Sequence, residues 1–566
     1  MRGFLKKKMK KIFLILTACF CGTFVFAQTE GEVQPSENEI ELPDVTTVIS
    51  GGALTAGKDS VPDYKKILPD KNTGSLELPE MESVQKKEQV SQQYVQNSSD
   101  EKNVYAQGSI GGGFPFSFAG DFDIYRMSGN SPFKVSFFHK NAEDFADKKA
   151  ADGYFFRKTG IEAEKKFLNE KSEFIFSGWY KNQNEGLQSK SPVFTDYLWN
   201  DIGGKMSAKW SLKNGWYIQL GGNGSYFNRY GTKSASDSVF ESEWEKSSKY
   251  FSFVPQFSAG WKNSMFDVNF LAKYETQLNV KETDSLEKAP EASSAEAVHK
   301  GEFRLNFDWT DENVKVYASA GVIAGNSIGK QNVLFPFLLG GKAEIPYGLS
   351  FRPLCLKIEG GLDSVLEFAG NLEQKYLFAA LYCLSSEQSD WYGQISASVP
   401  VQDFFSVNLS GEFRKTAFDN GVWTPDYKTS PSSAGFYVIK QENRTELKSV
   451  AELSADFEKL KFSGSWKSYW LDVPSYEDEQ SLTASVIFEP DNLWNLKASI
   501  TQNLGDDAEK VPGLDFSGSV RASNSIRLAL EATDIIKLVT VKTRAFAHSQ
   551  YKQNCGHITA LVKFQF

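Results

Sequence analysis

The sequence predicts an all-β chain: a large closed antiparallel transmembrane β-barrel of about 22 strands (20–22), preceded by an irregular N-terminal tail. Three observations predict it. Segments of about ten residues recur with apolar side chains at every second place. Short and long connections alternate between them. The last such segment, "HITALVKFQF" (557–566), runs to an aromatic residue. In it Ile558, Ala560, Val562, Phe564 and Phe566 are apolar. His557, Thr559, Lys563 and Gln565 are polar, and Leu561 is the one exception.

Taken in order, residues 1–27 read as a secretory signal peptide. Arg2, Lys6, Lys7, Lys8, Lys10 and Lys11 precede the apolar run "IFLILTACFCGTFVF", and Val25 and Ala27 form a small-residue cleavage site before Gln28. "LTAC" (16–19) resembles a lipoprotein cleavage box, but the apolar run continues past Cys19. Removing the six positive residues takes the net charge from −9 to −15. So acidic a chain excludes nucleic acid as a partner. Cys355, Cys383 and Cys555 remain, odd in number and far apart, which excludes a disulfide framework or a zinc spacing.

Residues 28–102 are rich in Glu, Gln, Ser, Asp and Pro, and their apolar pieces are short. They predict a polar, mostly disordered periplasmic tail with too little to bury for a domain.

From about 103 the texture changes. "GEFRLNFDW" (301–309) sets Phe303, Leu305, Phe307 and Trp309 against Glu302, Arg304, Asn306 and Asp308. "WNLKASI" (494–500) sets Trp494, Leu496, Ala498 and Ile500 against Asn495, Lys497 and Ser499. "SLTASVIFE", "MFDVNFLAKY", "FFSVNLSGEF", "KFSGSWKSYW" and "SIRLALE" repeat the theme. The assignment that follows puts Phe303, Phe307, Val486, Phe488, Leu496 and Ile500 toward lipid. It puts Arg304, Asn495 and Lys497 toward the lumen. Mean hydropathy is −0.38 with 14% aromatic residues, which excludes a helical membrane protein but suits a wall in which alternate residues meet lipid.

Short turns are expected at 168–171, 213–215, 262–264, 310–313, 402–403, 457–459 and 490–492. Longer polar loops are expected at 231–248, 279–299, 418–435 and 472–479. Soluble sandwiches do not sort loop lengths so regularly, and outer-membrane barrels do. An open edge in lipid would leave backbone groups unsatisfied, so the strand 557–566 must pair with the first strand, near 104–115.

The order of blocks resembles the barrel of TonB-dependent receptors. "VYAQGSIGGGFPFSFAGDFDIY" (104–125) and "FKVSFFHKNAEDFADKKAADGYF" (133–155) look like their early strands and first surface loop. "FPFLLGGKAEIPYGLSFRPLCLKIEGGLDS" (335–364) is similar to their mid-barrel hairpin. "SIRLALEATDIIKL" (525–538) resembles their late strand, with Thr533, Asp534 and Ile535 standing in for part of its usual ending. The terminal "ITALVKFQF" resembles the signal that such barrels present to the barrel-assembly machinery. The resemblance implies an outer-membrane transporter or receptor for small-solute uptake, with a periplasmic N-terminus and extracellular loops. Those receptors carry a plug of over a hundred residues, and no such motif stands here, so a relative would be plugless. "DVTTVIS", Asp44, Val45, Thr46, Thr47, Val48, Ile49 and Ser50, resembles the box that pairs with a TonB-type energy-transducing protein. The alternative for 44–50 is a short apolar patch in the tail. A porin-like passive channel and a surface-exposed adhesin or structural barrel stay open beside the receptor.

No catalytic constellation is visible. His139, His299, His548 and His557 share no metal-ligand spacing, and there is no G-x-S-x-G elbow or phosphate-cradling glycine loop. No enzyme activity, cofactor or metal is expected. Acidic residues gather in three loops: Asp284, Glu287, Glu291 and Glu296; Glu477, Asp478 and Glu479; Asp506, Asp507 and Glu509. They read either as cation capture at the mouth or as a solvated face.

Overall fold

The computed structural model describes residues 104–566, apart from 128, 143–155, 234–246, 280–296, 327–332, 347–351, 381–384, 492, 507, 541–543 and 554–555. Of the tail it describes one short antiparallel pair, Lys58–Ser60 with Gln93–Val95. The expected periplasmic tail and residues 44–50 otherwise lie outside the described residues.

The rest is one closed antiparallel ring of 22 strands. They are β1 (Tyr105–Phe114), β2 (Ser117–Arg126), β3 (Phe133–Ala142), β4 (Phe156–Asn169), β5 (Ser172–Gly186), β6 (Phe194–Ser211) and β7 (Trp216–Lys233). There follow β8 (Ser247–Lys262), β9 (Phe266–Asn279), β10 (Ala297–Asp311), β11 (Val314–Gly325), β12 (Phe337–Ile345), β13 (Leu354–Phe368) and β14 (Ser385–Gln402). The ring ends with β15 (Phe405–Thr416), β16 (Thr445–Phe457), β17 (Leu460–Tyr469), β18 (Gln480–Phe488), β19 (Trp494–Leu504), β20 (Gly513–Arg521), β21 (Ile526–Thr533) and β22 (His557–Gln565).

Closure is made by β1 and β22, with Gln107 opposite Gln565 and Phe114 opposite Ile558. Ala106 N donates to Phe566 O at 2.9 Å, and Phe566 N donates back to Ala106 O at 2.7 Å. The exception in the terminal alternation has a physical reason. Leu561 turns inward and is buried beside Gly111, where a Cβ would stand 2.6 Å from its Cδ2 and 2.0 Å from Ala560 O. The glycine makes room for the leucine.

Connections at one end are short, as at 170–171, 212–215, 263–265, 312–313, 403–404 and 458–459. At the other end they run long, as at 187–193, 369–384, 417–444, 470–479 and 534–556; only 115–116 is short there. Among the described residues, the turns and loops expected from the sequence fall at the matching ends.

The facing also follows the sequence. Phe303 is 56% exposed and Phe307, Phe488 and Ile500 are exposed on the outer face, with Leu496 and Val486 in line with them. Arg304 points inward to Glu302 at 2.8 Å, and Asn495 donates to Glu489. So much exposed apolar surface belongs in lipid. Exposed Phe167, Trp216, Phe457, Trp494 and Phe566 form a girdle at the short-turn rim. Exposed Tyr180, Tyr274, Trp391 and Trp470 stand about ten residues further along, the length of one tilted crossing. Strands β5 to β8, β13 and β14 continue beyond that second girdle.

Candidate functional site: a loop-built cap over a polar lumen

The lumen face of the wall carries two textures. Over β9 to β15, opposite charges sit two residues apart on one strand, where the pleat returns them to the same face. Lys357 pairs with Glu359 at 2.9 Å, Lys342 with Glu344 at 2.6 Å, Lys273 with Glu275 at 3.4 Å, and Arg414 with Glu412 at 2.5 Å. Over β15 to β19 the face is hydroxylic. Ser406, Ser454, Ser463, Ser485 and Ser499 stand in one register row across five strands. Ser406 bonds to Ser454 and Ser463 to Ser485, each at 2.6 Å.

Beyond the second girdle the long connections fold together. Loop 369–384 opens with helix α1 (Ala369–Lys375), and loop 534–556 opens with helix α2 (Ile535–Thr540). Residues Ala379–Ala380, Tyr437–Glu442 and Val422–Pro425 make a three-stranded sheet from two different loops. Their shared core is aromatic: Tyr197, Phe378, Tyr427, Phe436, Tyr437, Phe546 and Tyr551, with Leu187 and Val193. Phe378 stacks on Tyr551 with centroids 3.9 Å apart and an interplanar angle of 8°. It meets Tyr197 and Phe546 edge-on. A second cluster joins Leu372 and Tyr376 to Phe227 and Tyr250 on the inner face of β7 and β8.

This cap crosses the opening. Loop 187–193 joins β5 to β6, and loop 417–444 joins β15 to β16, which stand on opposite sides of a ring of 22 strands. Yet Ser191 Oγ donates to Ser433 O at 2.9 Å. Gln188 and Lys552 exchange two bonds, at 2.6 and 2.8 Å. Tyr551 Oη donates to Gly435 O at 2.5 Å. Gly435 has φ +87°, and a Cβ there would lie 3.0 Å from Tyr551 Oη and 3.2 Å from Leu187, so both backbone and packing require glycine.

Buried charges bolt the cap to the wall. Arg229 of β7 reaches Glu373 of α1 at 3.6 Å, donates to Ala379 O at 3.3 Å and lies 4.4 Å from the Phe436 ring. Arg444 pairs with Asp390 of β14 at 2.7 Å and with Glu446 at 3.1 Å. Burial pushes the phenols of Tyr376, Tyr427, Tyr476 and Tyr551 well above their ordinary range, so they stand neutral. Tyr427 Oη donates to Leu377 O at 2.6 Å and Tyr376 Oη to Trp423 O at 3.1 Å.

The partner-binding candidate Asp44–Ser50 lies outside the described residues, as do Asp284, Glu287, Glu291, Glu296 and Asp507. Three of the described acidic loop residues have protein partners. Glu477 pairs with Lys467, Asp478 accepts from Asn503, and Glu509 pairs with Lys537 at 3.0 Å. They tie loops to strands and to each other. The cap residues Phe378, Tyr427 and Tyr551 were missed, because loop residues carry no period. The lumen pairs were visible as K-x-E and E-x-R triplets on the polar face.

No family model matches the chain, and no curated protein matches it by sequence. Solved structures match it by shape. The ferric enterobactin receptor PfeA of Pseudomonas aeruginosa superposes with TM-score 0.58 at 8% identity, over 82% of this chain and 81% of that one. The copper transporter OprC gives 0.60 at 9%, over 83% and 82%. The FrpB iron transporter of Neisseria meningitidis gives 0.59 at 8%, over 82% and 82%. The likeness is one of fold: the wall is the receptor-type barrel that the resemblance of the sequence implies.

Proposed function

We propose that the chain is a bacterial outer-membrane transporter or receptor for small-solute uptake, without a plug of its own and closed by its loops. The observation that carries the reading is the cap, in which loops from opposite walls meet through buried aromatic rings. A polar lumen of receptor-barrel width needs a closure, and here the chain's own loops supply it. About a fifth of each solved neighbour finds no counterpart in the superposition, which supports the plugless reading. The neighbours' printed roles, in ferric enterobactin, copper and iron handling, support uptake of a small ligand.

In this reading the tail 28–102 is periplasmic and residues 44–50 add as a strand to a TonB-type partner. The strand at 557–566 is read by the barrel-assembly machinery. Planar-bilayer recording of the refolded chain tests the closure. The intact protein is expected to be silent or to open rarely, and removal of 417–444 and 534–556 to give a large steady conductance. A large steady conductance of the intact chain would make it a porin. Deleting 28–102 is expected to leave the barrel folded and abolish energy-dependent uptake; retained uptake would remove residues 44–50 from the mechanism.

A further inference from the structure

Resting on the reading that the chain sits in an outer membrane with its long loops outward, we propose that the outer face of β4 to β8, at and just past the second girdle, binds the phosphorylated sugar headgroup of an outer-leaflet glycolipid. Two stretches of wall continue beyond that girdle. On β13 and β14 the outer row is covered: Ser364 and Ser389 are buried, and Trp423 and Gln441 of loop 417–444 donate to Glu387 O at 3.2 and 2.9 Å. On β5 to β8 the chemistry of the outer face changes within one register row. Tyr180, Ile202 and Phe251, all exposed, stand in line with Tyr226 and suit acyl chains. The next outward row is Asn182, Asn200, Asn228 and Lys249.

The amides of that row are joined. Asn182 Nδ2 donates to Asn200 Oδ1 at 2.7 Å, and Asn200 Nδ2 to Asn228 Oδ1 at 3.0 Å. Tyr180 Oη adds a bond to Asn200 Oδ1 at 3.1 Å. The two amide bonds run in one sense, so their dipoles add. The donor end, Asn228 Nδ2, has no acceptor among the described residues and stands in register with Lys249. That end favours an anion, and the whole row offers amide donors and acceptors to hydroxyl groups.

Two unpartnered groups adjoin the row on the same face. Arg157 of β4 makes no hydrogen bond or ion pair among the described residues, and it lies in register with Asn184 of β5. Asn184 is 8% exposed, and its Oδ1 is buried without a donor. Such acceptors are rare, because they give up water and gain nothing. A phosphate suits Arg157, and a sugar hydroxyl beside it can donate to Asn184. Asp196, the one acid on the outer face of β5 to β8 beyond the girdle among the described residues, has its Oδ2 taken by Thr195 Oγ1 at 3.0 Å. The whole chain carries −9, so a strip with two cations at the girdle is complementary to an anionic lipid surface rather than typical of this protein.

The full chain, purified in detergent, is titrated with lipid A and separately with phosphatidylglycerol, and bound lipid is counted by native mass spectrometry. Lipid A is expected to bind in preference to phosphatidylglycerol. Arg157→Gln with Lys249→Gln is expected to weaken lipid A binding about tenfold. Asn200→Leu, which breaks the amide row at its middle, is expected to weaken it about fivefold. Heat-modifiable gel mobility shows that each barrel is folded. Lipid A binding unchanged in both variants, or equal binding of the two lipids, would overturn the glycolipid site alone. The placement is tested apart, in intact cells. Thr429→Cys on loop 417–444, with Cys355, Cys383 and Cys555 replaced by serine, is expected to react with a membrane-impermeant maleimide. No reaction there would instead overturn the outward reading of the loops.

Discussion

In the wall, Val486 stands between Phe462 and Ala498 on strands whose backbones carry the bonding. In the cap, Phe378 meets Tyr551, Tyr197 and Phe546 through side chains from three separate stretches of chain. The wall asks of each outer residue only that it be apolar, because lipid has no shape to match. The cap asks for particular rings in particular places. One region is specified by a pattern and the other by complementarity, so they should fail differently.

The widest separation is expected in alkali. Tyrosine ordinarily ionises near pH 10. Burial raises Tyr376, Tyr427, Tyr476 and Tyr551 above that. Their raised values give the cap stability that is whole below about pH 10 and is lost as pH climbs from there through the folded values. Phenolate absorbance from these four should appear together with a rise in conductance while the strand circular dichroism persists. Titration near pH 10 with no change in conductance would break the comparison.

Next comes the joint between the regions. Asp390→Ala leaves Arg444 buried with a single partner, at an expected cost of about 3–5 kcal/mol. A double replacement, Asp390→Leu with Arg444→Met, should cost clearly less when measured by urea unfolding in lipid vesicles. Equal losses would mean the pair is not the bolt. In the wall, Val486→Arg should cost about 2–4 kcal/mol near the midplane, and Lys497→Arg little. Equal costs would refute the facing. The smallest effect is within the cap: Tyr427→Phe removes one donor to Leu377 O and should cost about 1 kcal/mol, with the wall's melting unchanged.

The same contrast explains what could be read in advance. Phe303, Leu305 and Phe307 declared an outer face because a pleated strand returns every second residue to one side. The turns at 310–313 and 457–459 declared themselves because two strands need little to join them. The cap had no such signature. Gln188 and Lys552 bond across 364 positions, and nothing local in either stretch points to the other. Tyr427 sits in a polar loop that reads as solvated. The acidic loop residues were visible, but their partners Lys467, Asn503 and Lys537 lie on other elements. The lumen triplets were open to reading, since Lys357 and Glu359 must share a face once the strand is granted.

Those paired charges have an electrical consequence. A cation held about 3 Å from its counterion presents a dipole to the lumen rather than a single charge, and the field of a dipole dies away faster with distance. Neighbouring dipoles on β12 and β13 also point in opposite senses, since Lys342 precedes Glu344 and Lys357 precedes Glu359 on two antiparallel strands. The axis of an opened barrel should therefore feel little of this sector even in dilute salt, where the screening length is about 30 Å at 0.01 M. A charged solute would sense the wall only when it came within touching distance.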